Sequence, residues 1–373
     1  MTENKRIPIT KEQASLFRNN NFDLIRLFAA LQVAIYHTAL HLGFDSANNM
    51  FLSILGYFPG VPIFFFVSGF LISRSFESNS IIKEYSHNRS LRIFPALFVC
   101  VMLSVLSVYM LGFFQNKNID PFHIITWIGA QISFFQVYNP EFILDYGVGV
   151  LNGSLWTVSV ELQFYLLIPC VYAFFKLKNC SMKSSNLRIL GIIFPMVVMS
   201  IAYNAFKPEL KEPLWFKLFG ASFLPWFSMF LIGMFVQRNF EYFHKHFSQR
   251  WYLLLATYLA VAYASKSLFD SRTDNMINFG LFLLLSLVIF STAYSSVGLS
   301  HKLLRGNDIS YDVYIYHMPI INGLIYLGFY GSALSGLSAL SLTLVMSLLS
   351  WFLVEKPLLA RKRNALHPVT SKL

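Results

Sequence analysis

Charge is what this chain has least of. Only 13% of its 373 residues are Asp, Glu, Lys or Arg, about half the share of a soluble domain, while 55% are hydrophobic and the mean hydropathy is +0.54. So few charges cannot clothe a water-soluble surface, and lipid is the solvent for most of the chain. Cysteine is almost as scarce. Cys100, Cys170 and Cys180 form no C-x-x-C pair and no Cys/His spacing, which leaves no disulfide framework and no metal site to expect. Internal repeats, low-complexity linkers and long soluble appendages are lacking too. One membrane domain over 22–354 is therefore expected, between a cytoplasmic segment 1–21 and a basic cytoplasmic tail 355–373. Lys5, Arg6, Lys11 and Arg18 make the start of the chain polar, and a cleaved signal peptide is not expected.

What charge there is leans positive, with a formal net of +11 and a pI near 9.5. No basic block forms, which argues against a nucleic-acid partner. Counting about 20 apolar residues per crossing places spans near 22–43, 57–75, 91–114, 155–175, 189–206, 215–236, 251–268, 277–299, 309–330 and 333–354. The fold class is thus an all-α polytopic transmembrane helix bundle of about ten membrane-spanning helices. The stretches assigned to the cytoplasm hold 20 Lys and Arg against 4 on the opposite side, so both termini are expected in the cytoplasm. Phe122–Val137 is apolar but short, and counting it as a span would invert the charge bias beyond it. It reads as a re-entrant or interfacial segment.

Asp, Lys and Arg at mid-span cost about 2.5–3.5 kcal/mol each on insertion scales, so a helix that keeps them usually faces a cavity or a partner. Arg26 and His37 stand eleven residues apart in the first span. At 100° per residue they share one face, about 16 Å apart along the axis. Glu161 in the fourth span and His37 lie at one expected depth, about 9 Å below the outer surface, where a carboxylate and an imidazole can form an acid/base pair. Arg89 and Arg92 neighbour each other on one helix face at the inner boundary, suited to gripping phosphate oxygens with forked bonds. Each has a plainer reading: Arg26 snorkelling, His37 packing, Glu161 in a structural ion pair, Arg89 and Arg92 as a positive-inside anchor. The second span, with Pro59, Gly60, Pro62 and Gly69, reads as a loosened wall lining a cavity. Tyr311, Asp312 and His317 sit inside another span, where helix-to-helix bonding would also explain them.

In this order the residues resemble the acyltransferase-3 family of bacterial membrane acyltransferases. The resemblance rests on Arg26-ten residues-His37, Phe-Phe-x-x-Ser-Gly-Phe-Leu-Ile ending at Ile72, Arg89-x-x-Arg92, Ser154-Leu-Trp156 with Glu161 and Tyr165, Ser310-Tyr311 through His317, and Glu355-Lys356-Pro357. It implies a stand-alone enzyme of the bacterial cytoplasmic (inner) membrane, without an SGNH-type domain. Such an enzyme transfers an acyl group, commonly acetyl, from cytoplasmic acyl-CoA to a hydroxyl of a glycan, lipid-linked sugar or similar acceptor. Acyl-CoA would be a co-substrate rather than a bound cofactor, and membrane lipids would be the standing partners. His37, Glu161 and Arg26 would form the catalytic set, with Arg89, Arg92, Trp156, Tyr165, Tyr311 and His317 binding substrate. His37 would act as general base or as a nucleophile. The rival class is a transporter or flippase for lipid-linked sugar, which also wants polar residues and broken helices.

Overall fold

The computed structural model describes residues 16–17, 19–43, 49–115, 117–206 and 213–360, so most of the expected N-terminal segment and the tail from 361 lie outside the described residues. Those described contain helices and no strand. Helices stand at all ten expected crossings, and seven helical stretches are long and apolar enough to cross a bilayer. This is a multi-pass membrane protein. The helices are α1 (Phe22–His41), α2 (Met50–Leu55), α3 (Gly60–Ser78), α4 (Ile82–Met110), α5 (Pro121–Gln131), α6 (Trp156–Phe174), α7 (Met182–Ala205), α8 (Leu214–Gly220), α9 (Phe227–Arg238), α10 (Phe240–Phe247), α11 (Trp251–Phe269), α12 (Phe279–Ala293), α13 (Leu299–Leu304), α14 (Ser310–Tyr326) and α15 (Ala333–Ser350).

Two compact units share this list: one holds residues up to 32 with 53–82 and 160–306, the other 33–52, 83–159 and 307 onward. In the first, α3 and α9 meet backbone to backbone. A Cβ on Gly69 would lie 2.0 Å from the Phe230 carbonyl oxygen, and one on Gly233 would lie 2.1 Å from that of Phe66. Both positions must be glycine, as in close-packed membrane helices generally. This corrects the expectation of a loosened second span. Pro59 is the N-cap and Pro62 falls in the first turn, where amide hydrogens lack helical partners anyway, and Gly69 serves a packing seam. Gln32 of α1 fixes the start of α3 by accepting from the Gly60 amide at 2.9 Å.

The sixth expected span is broken into α8 and α9, with a turn between Gly220 and Phe227. A helix can open within the apolar layer only if its freed backbone groups find other partners. Gln163 supplies them, donating to Ala221 O at 2.9 Å and accepting from Phe223 N at 2.9 Å, while Trp226 Nε1 donates to Gly220 O at 2.7 Å. A Cβ on Gly220 would meet the Tyr203 hydroxyl at 2.4 Å, so α7 packs directly against the break.

In the second unit α4 runs for 29 residues, about 43 Å at 1.5 Å per residue. It outlasts the hydrocarbon layer of about 30 Å, and its first turns, from Ile82 to Ser90, are the polar end. By contrast α5 has 11 residues, about 16 Å, too short to cross. Asp120 caps it by accepting from Phe122 N, with Pro121 at the first position. The chain after α5 folds over Val108, Phe113, Trp127, Ile143, Tyr146 and Leu151. Burial pushes the Tyr146 phenol up to about 12, so it stays a neutral hydroxyl there. Asn322 of α14 stitches this segment down: its amide nitrogen donates to Val150 O at 2.8 Å and its oxygen accepts from Val148 N at 3.1 Å.

Candidate active site

The site in the second unit begins with a proline. Pro319 lies inside α14 and has no N–H, so the carbonyl of Ile315, four residues earlier, loses its helical donor. Asn152 replaces that donor with its side-chain amide at 2.7 Å, and the Cys100 thiol approaches the same oxygen at 3.3 Å. Ser154 Oγ donates to Tyr314 O at 3.1 Å and Thr157 Oγ1 to the Tyr314 hydroxyl at 2.7 Å. Asn152 also caps its own segment, accepting from Ser154 N at 3.2 Å. The Asn152-to-Thr157 stretch therefore holds α14 at the turn from which His317 projects.

His317 is fully buried. Its Nε2 lies 2.9 Å from Nδ1 of His37, and its Nδ1 lies 3.3 Å from the carbonyl oxygen of Val313. His37 is half-buried on α1, and the ring of His41, one turn on, has its centroid 5.6 Å away. Two imidazoles joined edge to edge share a single hydrogen between facing nitrogens, and such a pair can take and return a proton. Arg26 is half-buried on the same continuous helix, eleven residues from His37 as the spacing requires.

Glu161 belongs to the first unit. Its Oε1 accepts from Ser68 Oγ at 2.9 Å and from the Tyr165 hydroxyl at 2.8 Å. Tyr165 stands one helical turn beyond Glu161, while Ser68 directly precedes the seam glycine Gly69, so one short motif on α3 supplies both the close approach and a hydroxyl for the carboxylate. Within its own unit His37 contacts His317, and Glu161 contacts Ser68 and Tyr165. Trp156 is half-buried at the first position of α6.

Arg92 forms an ion pair with Asp308. The other oxygen of Asp308 accepts from Ser310 N at 3.2 Å and from the Ser310 hydroxyl, opening α14. Arg89, one turn before Arg92, has its guanidinium 6.0 Å from the centroid of the Tyr85 ring. Tyr311, 8% exposed, donates its hydroxyl to Ile93 O at 3.4 Å. Asp312 and Glu355, 0% and 1% exposed, face one another with Ser350 beside them. The chain reaches Glu355 through a π-helical turn, Trp351–Glu355, in which Trp351 Nε1 donates to Asn307 Oδ1 at 3.0 Å. Among the described residues no group of three His, Cys, Asp or Glu side chains is placed to share a metal ion.

Asn152, Asp308 and Ser68 are absent from the sequence-based site. For Asn152 the signal existed: a proline inside an apolar helix implies a carbonyl that something must satisfy. Asp308 two residues ahead of Ser310 is likewise a helix-start signature. Nothing local points from Ser68 to Glu161, 93 residues away.

No solved structure matches this chain. It is 30% identical over 353 residues to nodulation protein 10 of Rhizobium leguminosarum bv. viciae, covering 91% of this chain and 92% of that protein. An O-acetyl transferase of Shigella phage Sf6 is 28% identical over 362 residues, 93% of this chain and 98% of the phage protein. The peptidoglycan O-acetyltransferase OatA of Listeria monocytogenes is 29% identical over 157 residues, which is 40% of this chain and 23% of that protein. The family described as Acyltransferase domain, acyltransferase-3, matches residues 19–355. The chain belongs to that family and is a membrane O-acyltransferase.

Proposed function

We propose that the protein moves an acyl group, acetyl in the simplest case, from cytoplasmic acyl-CoA to a hydroxyl of a cell-surface glycan, lipid-linked sugar or similar acceptor. The observation that carries this reading is the His37–His317 pair, an imidazole on α1 held at 2.9 Å by a second, fully buried imidazole. A histidine so held is oriented for proton transfer or attack on a carbonyl carbon. The names of the phage and Listeria relatives, both O-acetyl transferases, support an acetyl donor, and the Listeria name supports a glycan acceptor.

In this reading His37 takes the proton of the acceptor hydroxyl as the new C–O bond forms and the C–S bond of the thioester breaks, and the proton passes to the departing thiolate. The alternative route forms an acyl-imidazole on His37 first. Arg89 and Arg92 meet the phosphates of the donor at the inner boundary, and Arg26 neutralises charge along the donor channel. Glu161 orients His37 or shares its proton. Trp156, Tyr165 and Tyr311 line the substrate path. The charge split supports placement in the bacterial cytoplasmic membrane with both termini inside.

The test is transfer of radiolabel from acetyl-CoA by the purified protein in lipid nanodiscs, offered membrane glycan and lipid fractions as acceptors. Label is expected in one of those fractions. Its absence from every fraction, with the protein intact, overturns the proposal.

A further inference from the structure

We infer that His317 is a positioning residue for acyl transfer: by accepting a hydrogen from Nδ1 of His37 it leaves Nε2 of His37 bare, and Nε2 is the nitrogen that reacts. The inference rests on the proposed acyl transfer and deepens it, because either route needs an unprotonated ring nitrogen at a fixed place.

The backbone fixes the first hydrogen, and the others follow from it. A carbonyl oxygen can only accept, so the contact of His317 Nδ1 with Val313 O at 3.3 Å places a hydrogen on Nδ1. A neutral imidazole carries one N–H, so His317 Nε2 is then an acceptor. The nitrogen facing it at 2.9 Å, His37 Nδ1, must be the donor. That uses the single N–H of a neutral His37 and leaves the lone pair on Nε2. The opposite arrangement would set the lone pair of His317 Nδ1 against that of Val313 O, in a place where His317 is fully buried.

The arrangement is held from behind. Asn152 and Ser154 bond the carbonyls of Ile315 and Tyr314, two residues in the turn that ends at His317, and the Tyr314 ring lies 5.8 Å from that of His317. Met318, next to His317, packs with Leu42, Ile321 and Ala339. The ring therefore has a fixed platform, with His37 facing its Nε2. His41 lies on the other side of His37, at a ring distance of 5.6 Å, and is the one other imidazole in ring contact with it among the described residues.

The experiment compares His317→Ala, His317→Gln and His37→Ala in nanodiscs, with stability followed by thermal melting. A glutamine side chain reaches the position of Nε2 with a carbonyl oxygen, so it can accept from His37 Nδ1 where alanine cannot. His317→Ala is expected to lower kcat by about 10–100-fold at unchanged KM for both substrates, and His317→Gln to recover much of the loss. In the unmutated protein, 15N spectra of labelled histidine, assigned by subtraction of His37→Ala, should show a protonated Nδ1 and a bare Nε2 on His37. A His37 protonated on Nε2 overturns the inference, as does a stable His317→Ala protein with wild-type kcat, or a loss carried by KM alone. An unmutated protein that transfers nothing overturns instead the acyl-transfer reading on which the inference rests.

Discussion

Asn152 stands where Pro319 leaves a gap. Its side-chain amide lies 2.7 Å from the Ile315 carbonyl that the proline deprives of a helical partner, so two residues far apart in the chain meet through one backbone oxygen. Since α14 also carries His317, this bond belongs both to the fold and to the site. Asn152→Ala should leave that carbonyl with only the weak Cys100 thiol, costing about 1–3 kcal/mol. A lowered melting temperature together with a lowered kcat is expected. A melting curve that superimposes on the wild type would detach Asn152 from this role.

The glycine seam makes a sharper structural prediction. Gly69→Ala would drive a methyl group to within 2.0 Å of the Phe230 carbonyl oxygen, whereas Gly191→Ala in the interior of α7 meets nothing within 4 Å. The first should destabilise by about 1–3 kcal/mol or more as α3 and α9 separate. The second should be neutral or gain a few tenths of a kcal/mol, up to about 1. Melting in one detergent measures both, and equal effects would contradict the backbone contact.

How far the sequence carried the fold follows from what each signal measures. Length of apolar run is a one-dimensional quantity, and it located a helix at all ten crossings. It could not see that Gln163 satisfies the turn at 221–226, so the sixth span read as continuous. Depth is likewise one coordinate of three. It put His37 and Glu161 on one level and left their neighbours open, and each proves to have its own partners: His317, 280 residues on, and Ser68 with Tyr165. Only the Tyr165 contact was within reach of sequence reasoning, because residues four apart on a helix are neighbours by construction. The π-helical turn that buries Glu355 has no signature in hydropathy at all.

Glu161→Gln separates charge from hydrogen bonding. A glutamine oxygen can still accept from Ser68 and Tyr165, so the protein should insert and melt as the wild type does. Transfer should nevertheless fall by about 10-fold or more if the negative charge serves the reaction. Tyr165→Phe, which removes one of the two donors and keeps the charge, should cost less. Equal rates in Glu161→Gln and wild type would reduce Glu161 to a structural acceptor.

Arg92 is engaged with Asp308, and Arg89 sits one turn away over Tyr85. Arg89→Ala should raise the KM for acyl-CoA by about 5–10-fold, with Arg89→Lys recovering only part, since an ammonium lacks the planar fork. Arg92→Ala should raise that KM and also lower the melting temperature, because it removes an ion pair to the buried Asp308. Donor kinetics unchanged in both variants would return the two arginines to an anchoring role.

His37 carries the proposed chemistry, and the most direct measurement is label transfer from acetyl-CoA by His37→Ala protein that inserts and melts normally. The predicted result is transfer reduced to background, with acyl-CoA still bound. Transfer at a rate near that of the wild type would contradict the central claim and move the chemistry to another residue.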